Sequence, residues 1–308
     1  MPTNNFKPFG IGSGANVTDQ AAYEALAALL TGFQSGKASS AQINKALRQG
    51  TVMSSVLAQF ISDTLGVDVL DNGVTDTVLA NLKAALLFAG TGRLLNVQTF
   101  NSSGTYTPTA GTKSVIIEVQ AGGGGGGGAG YTSNSTVSLG SGGGGGGYAK
   151  TKLTVAAATG ATVTVGSGGA GGSIAPTSGT AGGNSSFGAL CVTVGGSGGF
   201  GQAQATPPFT ATGVVGGSVS TPTPNILSIP GGSSSPGFAV STGSCVGGNG
   251  GNSALGTGGL GAGNNNISGN AGRGYGGGGG AGVSQNSPSA GQAGSAGSSG
   301  VVVVWEYA

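Results

Sequence analysis

The chain has 308 residues, of which 71 are glycine, and it sets ten lysines and arginines against eight aspartates and glutamates with no histidine. A net charge of +2 leaves no basic footprint for nucleic acid, and the missing histidine removes Ser-His-Asp and Cys-His nucleophile systems and every histidine metal site. The length allows two domains, and the charges place the cut: from Gly122 onward only Lys150, Lys152, Arg273 and Glu306 are charged.

Residues 1–17 carry Phe6, Phe9 and Ile11 among glycine, proline and asparagine, the composition of a docking arm with few contacts of its own. Thr18 reads as an N-cap with Asp19 in the first turn. Tyr23, Leu26, Ala27 and Leu30 then share one helical face until Gly32. Ser39 or Ser40 caps a second helix whose apolar stripe is Ile43, Leu47, Met53, Val56, Leu57, Phe60 and Ile61. Gly50 weakens its middle and Leu65-Gly66 ends it. Asn72-Gly73 makes a turn, and a third helix from Thr75 sets Leu79, Leu82 and Leu86 on one face until Gly90. These helices are thinly hydrophobic, so residues 18–95 read as an attachment or oligomerisation domain or as a small intrachain bundle.

Arg93 to Phe100 and Lys113 to Gln120 have strand composition, and the chain closes on a β-branched strand, Val301 to Tyr307. Between them stand seven glycines at 122–128, six at 142–147 and five at 276–280. All but 12 of the glycines lie beyond residue 120, and no third-position register is kept, which argues against collagen. A flexible linker is the other simple reading. Linkers do not end in strands, however, and this region lacks the charge that keeps disordered chains soluble. Ordering it costs on the order of 100 kcal/mol. Extended polyproline-II-like rods, hydrogen-bonded to one another where no side chain holds them apart, offer an offset.

The fold class expected is therefore multidomain: a small α-helical, oligomerising N-terminal segment, then a mostly β/irregular glycine-rich domain (96–308) of packed polyglycine-II-type helices framed by short β-strands. Lys152–Val155, Thr162–Val165 and Leu190–Val194 would roof the glycine layer. The insertions 131–139, 173–180, 202–212, 219–229 and 233–244 would be loops at one end of the rods, where recognition sits. Tyr131, Phe209, Ile226 and Phe238 in them, with Phe200 just before one, are the candidate binding residues. Each aromatic could instead plug its own loop onto the rods.

No catalytic, metal or cofactor site is expected. Glu118 and Glu306 are the glycine-rich part's only carboxylates and read as solvent-facing strand residues rather than a glycosidase pair. G-x-G-x-x-G matches arise from composition alone, without a nucleotide-binding strand and helix around them. Cys191 and Cys245 could form a disulfide; two free, half-buried thiols fit better, because no signal peptide marks a secretory route. No apolar run reaches the roughly 18 residues of a membrane helix.

The stretches Asn4-Asn5-Phe6-Lys7-Pro8-Phe9, Gly14-Ala15-Asn16-Val17-Thr18, Tyr23-Glu24-Ala25-Leu26, Gly32 to Ser40 and Asp68-Val69-Leu70-Asp71-Asn72-Gly73 resemble the N-termini of bacteriophage and prophage tail-fibre proteins. From Phe100-Asn101-Ser102-Ser103-Gly104-Thr105-Tyr106 through the glycine runs and Tyr148-Ala149-Lys150 to the valine strand, the chain resembles the glycine-rich adhesin domains of phage fibre tips. This resemblance implies a virion tail protein assembled in the host cytoplasm. Its N-terminus would be trimeric and face the tail or baseplate, and its variable tip loops would bind a host outer-membrane protein or lipopolysaccharide. The long shaft of many tail fibres is missing here, and individual receptor-binding residues do not carry over. A collar or baseplate protein, with loops that bind other virion proteins, is the alternative.

Overall fold

The structure is a computed structural model that describes residues 2–34, 39–89, 92–218, 225–264, 266–285 and 291–308. It divides into two compact units, Met1–Arg93 and Leu94–Ala308.

In the first unit the helices are Gln20–Glu24, Ala28–Thr31, Ser40–Leu65 and Thr75–Ala89. The first expected helix is broken in two, and its cap is Asp19 rather than Thr18: the Asp19 carboxylate accepts from the Ala22 N–H at 2.9 Å. The long helix starts at Ser40, runs through Gly50 and ends on Gly66 at φ +69°, a left-handed C-cap that glycine adopts without strain. Residues 35–38 and Gly90, the expected stop of the last helix, lie outside the described residues.

The core of this unit is small. It consists of Ala58, Ile61, Val69 and Ala85, with Phe6, Phe60, Leu65, Val78 and Leu82 packed around them. The expected stripe on the long helix is thus buried only at its C-terminal end, while Ile43, Leu47, Met53, Val56 and Leu57 are exposed. The last helix turns its Val78–Leu82–Ala85 face inward and leaves Leu79 and Leu86 exposed. It is apolar nearly all round, so periodicity could not choose the face, and Ala85 permits the closest approach. The arm expected at residues 1–17 runs back along this unit. Val69 and Asn4 bridge as parallel strands, the Thr3 N–H donates to Asp68 at 2.6 Å, and Phe6 enters the core.

The second unit is mostly β and irregular, with several small antiparallel sheets around a glycine-rich layer. At its base a five-stranded sheet runs in the order Leu94–Phe100, Val301–Tyr307, Ser114–Gln120, Tyr148–Thr154, Leu227–Ile229. Beneath it lies a four-stranded sheet, Gly104–Thr105, Thr162–Thr164, Ser185–Phe187 and Cys191–Thr193. Valines 115, 119, 302 and 304 and Ile117 face Tyr106, Val163, Phe187 and Cys191 in a closed core. Tyr106 and Phe187 meet there at a 5.4 Å ring separation and 55° tilt, a favourable edge-on arrangement.

Glycine segments lead away from this base. In the run 122–128 the hydrogen bonds recur every third residue. The N–H groups of Gly122, Gly125 and Gly128 donate to Gly183, Thr180 and Thr177; those of Gly123 and Gly126 to Ser298 and Ser295; those of Gly124 and Gly127 to Gly144 and Ser141. The carbonyls of Gly122 and Gly125 accept from Gly196 and Gly199, those of Gly123 and Gly126 from Gly169 and Gly172, and those of Gly124 and Gly127 from Gly279 and Gly282. One extended segment therefore bonds to six others, three antiparallel and three parallel.

Six segments also surround the run at 142–147, namely those around 124–127, 194–200, 217, 232, 248–251 and 276–279. The segment 276–282 bonds to those around 124–127, 140–146, 248–251, 259–262, 270 and 295–299. Among the described residues, the three uninterrupted glycine runs of the sequence are thus the three segments enclosed on all sides. An outer segment such as 166–173 keeps side chains at every third position: Ser167, Ala170 and Ser173 are exposed, while Gly169 and Gly172 are buried. A Cβ on Gly125 would lie 2.0 Å from the Ala170 carbonyl oxygen, and one on Gly126 would lie 2.2 Å from that of Gly280. Backbone meets backbone, and no side chain fits between.

Candidate functional site

The glycine layer ends, away from the base, in two three-stranded sheets. One orders Val283–Gln285, Val137–Gly140 and Gly201–Ala205; the other orders Phe209–Ala211, Gly237–Ser241 and Ser244–Val246. They share a core of Val137, Leu139, Ala211, Ala239, Cys245, Ala262 and Val283. Several of the segments expected as loops are therefore strands. Sequence reading passed over them because three-residue strands rich in Gly, Ser and Ala carry almost no alternation.

This far end displays most of the predicted residues. Tyr131 is 64 % exposed, Phe200 52 % and Phe238 45 %. Each stands on fixed backbone. The Phe200 N–H donates to Ser141 Oγ and its carbonyl accepts from the Ser141 N–H, both at 2.9 Å. Just before Tyr131, the Gly130 N–H donates to Ser138 Oγ at 2.7 Å. Phe238 is held in mid-strand between Thr210 and Val246. Phe209 differs from these, since its ring packs half-buried on the far-end core.

Ile226 does not belong with them. It precedes the strand Leu227–Ile229, which pairs with Tyr148–Lys150 at the base, and its neighbour Asn225 bonds Lys152 and Thr151 there. The described part of that insertion, 225–229, therefore lies at the opposite end from Tyr131; residues 219–224 are outside the described residues. Exposed Ile174 and Val240 belong to the far end and were not predicted. The strand register alone exposes Val240, and no sequence signal marks Ile174.

Charge is segregated along the layer. Glu118, Lys150 and Lys152 lie on the five-stranded sheet, Lys113 at its edge and Glu306 under it, while Arg273 pairs with Thr257 beside Gly277 on the base side. The far-end stretches 129–140, 173–178, 200–212, 237–247, 281–285 and 291–292 contain no Asp, Glu, Lys or Arg. What this end can offer a partner is apolar contact, hydroxyls, amides and backbone.

The two glutamates are not free at the surface, contrary to the sequence reading. Glu118 bridges to Lys150 across the strand pair at 2.8 Å. Glu306 is fully buried, and its carboxylate accepts from Tyr106 Oη at 2.7 Å, Thr109 Oγ1 at 2.6 Å, the Thr109 N–H at 3.0 Å and Gln98 Nε2 at 3.0 Å. Burial pulls its pKa up, but the hydrogen bonds from Thr109 and Tyr106 outweigh that and hold it below the ordinary glutamate value. Glu306 shares the core face with Val302 and Val304, whereas Glu118, opposite Val303, points to the other face. The two cannot flank one glycosidic bond.

Cys191 and Cys245 are free thiols in separate cores, one at each end of the layer, which removes the disulfide reading. Burial pushes the Cys191 pKa up to about 11 and raises that of Cys245, so neither is a nucleophile at neutral pH.

A family model for a glycine-rich domain matches residues 99–307. No curated protein matches the chain.

Proposed function

This chain belongs to the glycine-rich domain family through residues 99–307, and we propose that it is a phage tail-fibre protein whose far end binds a receptor on the host cell surface. In this reading the glycine layer is a bundle of polyglycine-II-type helices. Contacts that change neighbour at each residue and return every third one fit a helix of three residues per turn. Rods bonded on all sides make a stiff support, and rigid support of exposed aromatics lowers the entropy lost on binding.

The observation that carries the proposal is the placement of Tyr131, Phe200 and Phe238, exposed at the end of the layer farthest from the base sheet and free of nearby charge. Large exposed apolar groups on fixed backbone are usual anchors of recognition. The N-terminal unit is proposed to attach the fibre to the tail or baseplate and to trimerise. Its exposed Leu47, Met53, Val56, Leu86 and Phe88, together with an apolar hollow of about 430 Å³ beside Phe6, Val78 and Leu82, leave much apolar surface for copies or a partner to cover.

Purified protein applied to host cells tests the reading. Saturable adsorption that competes with intact phage is expected. Absence of adsorption, with retention by purified virion components instead, would support a collar or baseplate part and contradict the receptor-binding role.

A further inference from the structure

The strands Phe209–Ala211, Gly237–Ser241 and Ser244–Val246 have their hydrophobicity inside out. Their inner face contributes Ala211, Ala239 and Cys245 to the far-end core. Their outer face carries Thr210, Phe238 and Val246 as direct cross-strand neighbours, with Val240 two residues along from Phe238. Phe238 is 45 % exposed, Val240 63 % and Val246 37 %. In an antiparallel sheet that covers a core on one side, the larger apolar groups belong inside and polar groups outside. Here the small residues are buried and the large ones meet water, at a cost of roughly 25 cal/mol per Å² of apolar surface left wet. Neither rod packing nor the core requires Phe or Val at these outward positions.

The surroundings narrow the kind of partner. The far-end stretches hold no lysine or arginine, so nothing there could pair with the phosphates or acidic sugars of an anionic glycolipid. The polar side chains of this outer face are hydroxyls alone, those of Thr210 and Ser244 with Ser241 at the strand end, beside the carbon surface of Phe238, Val240 and Val246; no carboxylate or amide side chain stands on these strands to fix the hydroxyls of a saccharide. An uncharged apolar protein segment satisfies both conditions, because it brings no charge to desolvate and covers the exposed rings and methyls.

Resting on the adhesive reading above, we infer that the outer face of this sheet, Phe238, Val240 and Val246 with Thr210, is the receptor contact and that its partner is an uncharged, apolar surface segment of a host protein. Association then depends on buried carbon rather than on ion pairs. It is insensitive to salt, since screening acts on charges.

The full-length chain and its Phe238→Ser and Val240→Ser variants, applied to cells of a strain that the unaltered chain binds saturably, test this. Both positions are exposed, so melting temperatures should match the unaltered chain. The variants are expected to bind at least about tenfold more weakly. Binding should survive high salt and periodate treatment of the cells and disappear after proteinase treatment. Variants that bind like the unaltered chain, binding that falls steeply with salt, or loss on periodate but not proteinase treatment would each overturn the inference while leaving adhesion intact. Self-association of the unaltered chain that the variants abolish would also overturn it, by assigning the face to a second copy. If the unaltered chain binds no strain of a phage-sensitive panel, the adhesive reading fails and this inference with it.

Discussion

Replacing Gly125 with alanine places one methyl carbon 2.0 Å from the Ala170 carbonyl oxygen and 2.4 Å from its carbonyl carbon. Ordinary contact begins near 3.4 Å, so the segment at 166–173 must retreat by about 1.4 Å. That movement strains or breaks the bonds from Gly169 to Gly123 and from Gly172 to Gly126, both 2.8 Å long. A buried peptide group left without a partner costs about 1–3 kcal/mol, and overpacking adds about 1–3 kcal/mol. With partial relaxation the loss is about 3–6 kcal/mol, a large share of a typical total of about 5–15 kcal/mol. For a unit of this size the thermal midpoint should fall by roughly 10–20 °C. Ser135→Val in an exposed turn and Ala170→Ser at an outward third position should each change stability by about 0.5 kcal/mol or less. Calorimetry of the three variants checks the contrast. Equal midpoints for Gly125→Ala and Ala170→Ser would refute the close backbone packing, because both change one small side chain on adjacent segments.

Other expectations concern the cores. Glu306 has a folded pKa below its unfolded value near 4.3. Its contribution is therefore complete above that pH and fades as pH falls through the folded value. Glu306→Gln should melt well below the unaltered chain at about pH 6, with the gap narrowing toward about pH 3; a constant gap would contradict the buried ionised carboxylate. Cys191 and Cys245 should resist a thiol reagent at mildly alkaline pH in the native chain and react fully once it is unfolded. Fast reaction of either in the native state would show that its core is open. In the N-terminal unit, Ile61→Ala should cost about 2–5 kcal/mol because Ile61 is fully buried in a very small core, whereas Lys83→Ala at an exposed polar site should cost far less by chemical denaturation of the full chain.

Much of the framework is legible in the sequence because it rests on strong local signals. Seven consecutive glycines have no use in a side-chain core, and the three runs without an interruption are the three enclosed segments among the described residues. The β-branched strands at Val115 and Val301 also stand where their composition placed them. Faces were harder to read. The helix Thr75–Ala89 is apolar around most of its circumference, so Ala85 rather than Leu86 turning inward was decided by close packing and not by period. Glu306 gave no sign of burial, since its partners Tyr106 and Thr109 lie about two hundred residues away. Ile226 was grouped with Tyr131 because both sit in polar insertions, and only the pairing of Leu227–Ile229 with Tyr148–Lys150 separates them to opposite ends. The inverted face of Phe238 and Val240 was invisible for a related reason: alternation shows which residues share a side, and the fold alone shows which side is wet.

Amide hydrogen exchange on the full chain tests the central claim most directly. The N–H groups of 122–128, 143–147, 276 and 278–280 are expected to exchange with the slowest class in the molecule, together with the core strand Ser114–Gln120, since each is buried and donates to a neighbouring segment. Exchange of those glycines at the rate of an unstructured peptide, while the strand remains protected, would contradict it.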